Sequence, residues 1–246
     1  MAPESATPPA GAEQGVDLES LYPLVTTPPA REGETLPRPL SAAASFSATT
    51  ELLLAASGVG LSVFLLMHLL LLCTVLIGRA TMDALALFLE EYYLLHLGAV
   101  PLIAGLIVHV VLVLRRLPTS LRAQRILWGH LRSVRHFDTW TWGVQLVTGL
   151  LMLALISIHL WVILSTLPIS SGQSGSRVFT TYLWFYVPFL LLVESHLSMG
   201  IYRIWVKWDL ASRRLTHTAL TVWTCIALGL GFWILVMFYR IGAGLS

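Results

Sequence analysis

The sequence predicts an all-α membrane protein, with five transmembrane helices packed as a bundle. Two observations carry that expectation. Of 246 residues, 56% are hydrophobic and only 11% charged, where soluble domains carry about 25% charged residues; the mean hydropathy is +0.77. The apolar residues also fall into five stretches, each near or above the roughly 20 residues that a spanning helix needs. A formal net charge of +2 is too small to argue for a nucleic-acid partner, so the basic residues inform through their positions.

Ahead of the first stretch, residues 1–49 form a polar extension rich in Pro, Ala, Glu, Ser and Thr. It has no basic start followed by an apolar core, so it does not read as a signal peptide. Beyond Leu18, Leu21, Tyr22 and Leu24 it offers few large apolar residues, and such a segment is either disordered or laid against a partner. The five helices are expected at 50–77, 93–114, 140–167, 178–204 and 217–239, in a transmembrane domain of 50–240 with a short tail at 241–246. Gly78, Pro118, Pro168 and Gly172 punctuate their ends. Pro101 and Pro188 lie inside spans, which bilayer helices tolerate when neighbours satisfy the freed carbonyls. No internal repeat is evident.

Arg115, Arg116, Arg122, Arg125, Arg132 and Arg135 connect helices two and three, and Arg203, Lys207, Arg213 and Arg214 connect four and five. The other two connections carry Arg79 alone, beside Asp83, Glu90 and Glu91, and Arg177 alone. The positive-inside rule then expects a cytoplasmic amino terminus and extension, and an external carboxyl terminus and tail.

That orientation assigns depths to four histidines, one on each of the first four helices. His68 and His159 fall about 15 and 12 Å from the outer ends of helices one and three, while His109 and His196 fall about 10 Å from the inner ends of helices two and four. Two pairs at two levels result. Neutral imidazole is a good iron ligand, and facing helices of a bundle are where cofactors are held. The pattern therefore suggests two bis-histidine haems b stacked across the membrane, against the plainer reading of hydrogen-bonded core histidines. Gly105, four before His109, and Gly200, four after His196, would leave room for a porphyrin, though small residues also serve helix packing.

The other ionisable groups divide differently. His130, His136 and His217 lie in or beside basic connections, where solvent or a propionate is a more natural partner than iron. His96, at the outer end of helix two, is a candidate neighbour of a quinone or proton site. Glu90 and Glu91 precede helix two: they either cap it, as acid suits a helix amino terminus, or accept a proton as a quinol is oxidised. Glu194 lies in the apolar zone two residues from His196, where desolvation makes proton uptake possible; pairing with a neighbouring polar group is the alternative. Cys73 and Cys225 lie far apart in apolar runs and read as buried small hydrophobes, which argues against iron-sulfur ligation by this chain.

Five stretches carry a family likeness: FLLMHLLLLCTVLIG around His68, HVVLVLRRLP from His109, RHFDTWTWGVQLVTG into helix three, ISIHLWVIL around His159, and VESHLSMGIYRIWVKW in helix four. Together they resemble the cytochrome b subunit of quinol:fumarate reductase, in its single-subunit, five-helix, di-haem form. The resemblance implies His68 and His159 as ligands of a distal haem, and His109 and His196 as ligands of a proximal one. It implies Glu90, or the adjacent Glu91, at the quinol site, Glu194 in a transmembrane proton path, and Lys207 as the family's cofactor-binding basic residue. The family's polar residues near the start of helix one align with Leu54 and Ala55, and the first connection is shorter than the family's.

From the same resemblance follow menaquinol as electron donor, and flavoprotein and iron-sulfur subunits docked on the cytoplasmic side of a bacterial inner membrane. Fumarate would be reduced at the distant flavin, and the heterotrimer has a dimer open to it. The basic connections, with Trp128, Trp205 and Trp208, are candidate docking surfaces. Three rivals stand beside this reading: a menaquinone-reducing succinate dehydrogenase anchor, the haem b subunit of another respiratory complex, and a non-redox transporter with histidines and Glu194 lining its path.

Overall fold

The computed structural model describes the backbone of residues 39–117, 120–133 and 137–244. Most of the amino-terminal extension, Pro118, Arg135, His136 and the side chain of His130 lie outside the described residues. The chain divides into two compact units after Phe46, and the site lies in the second, Ser47–Ser246. Every described element is a helix: α1 (Pro39–Ile77), α2 (Arg79–Glu91), α3 (Leu94–Leu114), α4 (Leu121–Ser133), α5 (Phe137–Leu164), α6 (Ser171–Arg177), a π-helical turn (Val178–Tyr182), α7 (Leu183–Lys207) and α8 (Arg213–Gly242). Five are long and apolar enough to cross a membrane: Ala48–Ile77, Leu94–Leu114, Trp140–Leu164, Ser171–Lys207 and Arg213–Gly242.

The differences from the expected boundaries have local causes. α1 is helical from Pro39 because the Ala-rich run before residue 50 favours helix. α5 closes at Leu164, where Ser165 and Thr166 turn their hydroxyls back onto the carbonyls of Trp161 and Val162. The fourth span starts seven residues early. Ser170 caps α6 by accepting from the Gln173 N–H, and Asp83 accepts from both the N–H and the hydroxyl of Ser171, at 2.6 and 2.9 Å. Polar caps rather than apolar onset therefore set that end, and Gly172 lies inside the helix rather than marking its stop.

Two short helices fall where connections were expected. α2 buries Met82 and Ala86, four residues apart on one face, and α4 occupies the basic connection between the second and third spans. α2 also corrects the capping reading of Glu90 and Glu91. They end α2 instead of starting α3, and the chain breaks after them at Tyr93, whose φ of 58° lies in the left-handed region.

Val75, Met82, Val178, Ile234, Phe238 and Ile241 form a buried cluster joining α1, α2, the π turn and α8. Along α8 the buried residues Ala227, Gly231, Ile234, Phe238 and Ile241 recur every three or four positions, one stripe of a helix. Gly175 permits the crossing with α6: a Cβ there would come within 2.9 Å of the Phe238 carbonyl oxygen, the close approach that small residues allow between membrane helices. Among the described residues the extensive backbone approaches between spans are those of α5 with α7 and of α8 with the α6–α7 rod. Among the described residues α1 and α3 make no comparable approach to any other span, and α3 buries none of its residues. Side chains alone bridge those gaps.

Candidate functional site

Four of those side chains are the intramembrane histidines. The rings of His68 (α1) and His159 (α5) have centres 6.2 Å apart at 76°, and those of His109 (α3) and His196 (α7) 6.5 Å apart at 82°. With metal–nitrogen bonds of about 2.0 Å and about 1.1 Å from nitrogen to ring centre, two imidazoles holding one metal between them would have centres about 6.2 Å apart. No three or more His, Cys, Asp or Glu converge on one point among the described residues. The arrangement suits a metal that brings most of its own ligands, as a haem iron does.

At the His109–His196 level, called inner after the orientation the sequence leads one to expect, each imidazole has a defined partner. Ser57 donates its hydroxyl proton to the Leu54 carbonyl (3.0 Å), which leaves its oxygen to accept from His109 Nδ1–H at 3.0 Å. His196 Nδ1–H donates to the backbone carbonyl of Gln145 at 3.0 Å. Thr148 Oγ1, bonded to Val144 O at 2.8 Å, lies 3.4 Å from the same nitrogen. Both rings are thereby held in the Nδ1–H tautomer, and Nε2 of each keeps its lone pair for a metal. Arg203 fixes the Gln145 amide by donating to Oε1 at 2.8 Å.

Glycines face these rings, but not the glycines the sequence suggested. A Cβ on Gly149 would lie 2.8 Å from His196 Cε1, and one on Gly58 would lie 3.5 Å from His109 Cε1. Gly105 faces open space, and Gly200 makes room for the Gln145 amide, 2.9 Å from where its Cβ would be.

The outer level is built of aromatic rings instead. Phe64 stacks on His68 at 5.9 Å, and Phe189 and Tyr186 lie 5.5 and 6.0 Å from His159. His159 Nδ1 is buried without a hydrogen-bond partner, and so is Nη1 of Arg177. Arg177 Nη2 donates to Thr166, seven residues after His159 and just past the end of α5, at 2.8 Å. Such orphaned groups cost about 1–3 kcal/mol each unless something completes the site. An iron porphyrin with anionic side groups fits these residues at both levels.

Glu194 is buried, and its Oε1 accepts from Ser198 at 2.8 Å and from Thr224 of α8 at 3.0 Å. Lys207 pairs with Glu51, which also takes Arg116 at 2.9 Å, tying α1 at Glu51 to the ends of α3 and α7. Glu90 is half-buried and Glu91 exposed at the end of α2. His96 is exposed beside Tyr93, and the His217 ring lies 5.7 Å from that of Phe137. Both cysteines are free, and Cys225 is exposed on α8 rather than buried.

Fold and site define a multi-pass integral membrane protein whose spans hold two histidine pairs. Residues 122–244 match the family described as succinate dehydrogenase/fumarate reductase transmembrane subunit, and the chain belongs to that family. It is 36% identical over 172 residues to the fumarate reductase cytochrome b subunit of Helicobacter pylori, covering 65% of this chain and 67% of that one. It is 31% identical over 165 residues to the subunit of the same name from Wolinella succinogenes, covering 62% and 64%. The family that the sequence motifs suggested is thus the family found.

Proposed function

We propose that the chain is the membrane anchor and cytochrome b subunit of a quinol:fumarate reductase in a bacterial cytoplasmic membrane, amino terminus inside and carboxyl terminus outside. The observation that carries this reading is the pair of imidazole pairs, each at a ring spacing that would let two histidines hold one haem iron. The names of both relatives point the same way. His68 and His159 would hold the outer haem b, and His109 and His196 the inner one. When bound, the haems supply one-electron carriers at two depths.

The chain's own residues do the rest. Glu90 or Glu91, at the outer surface, accepts the proton that menaquinol releases on oxidation, which requires a carboxylate near the electron acceptor. Glu194 holds a proton between the levels, with Ser198 and Thr224 fixing the carboxylate. Arg177, with its unused Nη1, offers the outer site a cation. Lys207 stands at the inner end beside Glu51, within the family's cofactor-binding position. The connection around Trp205 and Trp208, both exposed, receives the iron-sulfur subunit, which passes electrons to the flavoprotein subunit where fumarate is reduced. Menaquinone reduction by a succinate dehydrogenase uses the same residues in reverse.

A reduced-minus-oxidised optical spectrum of the purified complex, followed by redox titration and identification of the copurifying subunits, tests the proposal. Two b-type components with flavoprotein and iron-sulfur partners are expected. A protein free of b-type bands would return the histidines and Glu194 to the transporter reading.

A further inference from the structure

The inner level contains a repeat that crosses helices. Ser57-Gly58 precedes His68 on α1 and Thr148-Gly149 precedes His159 on α5, so that each outer histidine follows a hydroxyl residue by eleven positions and a glycine by ten. Eleven residues are three turns with about 20° of drift and about 16 Å of rise. The hydroxyl-glycine pair therefore lies on the same face as its own histidine, one level further in, where it meets a histidine of a different helix. Ser57 reaches Nδ1 of His109, Thr148 approaches Nδ1 of His196, and the two glycines face the Cε1 atoms of those rings. The repeat is invisible as sequence similarity because only three of its positions are shared in type.

We propose that Ser57-Gly58 and Thr148-Gly149 are positioning elements for the inner haem. At Ser57 the hydroxyl sets the tautomer and strengthens the ligand through Nδ1, and at Thr148 it adds to what the Gln145 carbonyl already does, while the glycine leaves the ring free to turn its Nε2 toward iron. This rests on the haem reading above. A hydrogen bond to the outer nitrogen of a ligating imidazole raises its basicity, which favours ferric over ferrous iron, so removing the acceptor should raise the midpoint of the inner haem alone. Among the described residues Ser57 is the side-chain acceptor for His109, whereas His196 keeps the Gln145 carbonyl whatever occupies 148.

The test is an optically monitored redox titration of the whole complex carrying Ser57→Ala, Ser57→Thr or Thr148→Val, with the inner component identified as the one lost in His196→Ala. Ser57→Ala should weaken ferric relative to ferrous binding about tenfold, a rise of about 59 mV in the inner midpoint, while the outer midpoint stays. Ser57→Thr, which keeps the oxygen, should restore the parent value, and Thr148→Val should move the same component less. An unmoved inner midpoint in Ser57→Ala, or an equal shift of both components, overturns the inference while leaving the haem reading intact. A parent complex without two b-type components overturns that reading, and this inference with it.

Discussion

The two histidine levels have nearly the same ring spacing, 6.2 and 6.5 Å, yet they hold their rings by different means. The inner rings are fixed by hydrogen bonds from Nδ1 to Ser57 and to the Gln145 carbonyl, and glycines open the space beside them. The outer rings stand among Phe64, Tyr186 and Phe189, with His159 Nδ1 and Arg177 Nη1 buried and unpartnered. Polar contacts orient a group before a ligand arrives; apolar packing positions it but leaves its hydrogen-bonding capacity unspent. The inner site is thus complete within the chain, and the outer site is completed by what it binds.

The largest effect is expected from the ligands themselves. His109→Ala or His196→Ala should abolish one b-type component and leave the other at full occupancy, and His68→Ala or His159→Ala should abolish the other one. Haem content by pyridine haemochrome with redox titration reads this directly. If His109→Ala and His196→Ala removed different components, the pairing would be wrong.

Next comes the space beside the inner rings. Gly149→Ala would put a methyl 2.8 Å from His196 Cε1, so the ring must tilt; Gly58→Ala places it at 3.5 Å, an ordinary contact. A loss of about 10- to 100-fold in inner haem retention is expected for Gly149→Ala, the range for disturbed ligand support, with little change for Gly58→Ala. Competition with apomyoglobin measures it, and equal effects of the two substitutions would remove the steric argument.

How far all this was legible in the sequence depends on which way each interaction runs. The five spans follow from apolar length, and the histidines were placed at two levels by counting along each helix; the structure brings the same pairs together. α2 was missed because thirteen residues containing Arg79, Asp83, Glu90 and Glu91 are too short and too polar to register beside 20-residue spans. Glu90 and Glu91 were accordingly assigned to the wrong helix end. Four-residue spacing from a histidine within its own helix points to Gly105 and Gly200. Ser57, Gly58, Thr148 and Gly149 serve a histidine on another helix, and only the depth of each layer, three turns further in, could have pointed to them. Arg177 reads in the sequence as a lone charge for orientation, and the buried position of its Nη1 follows from the early start of α6, which the apolar pattern does not show.

The outer site has its own, smaller lever in Arg177. A guanidinium beside the outer haem proposed above would favour the reduced, less positive form, so Arg177→Gln should lower the outer midpoint. A tenfold change in the ferric-to-ferrous ratio corresponds to about 59 mV, and the inner midpoint should not move. A shift confined to the inner component would detach Arg177 from the outer site.

The smallest effect on either level is expected at Glu194. It lies two residues from His196 but faces α8, where Ser198 and Thr224 donate to one of its oxygens. Glutamine keeps that oxygen as an acceptor at nearly the same volume, so the bundle and both haems should survive Glu194→Gln with unchanged occupancy and midpoints. What the amide cannot do is take up and release a proton. If the carboxylate carries protons between the levels, turnover with a menaquinol analogue should fall by about 10²-fold or more, while fumarate reduction from an artificial donor to the iron-sulfur subunit stays at the parent rate. Loss of the inner component in this variant would instead make Glu194 a support of His196, and normal quinol turnover with both haems present would leave it a hydrogen-bonded core residue.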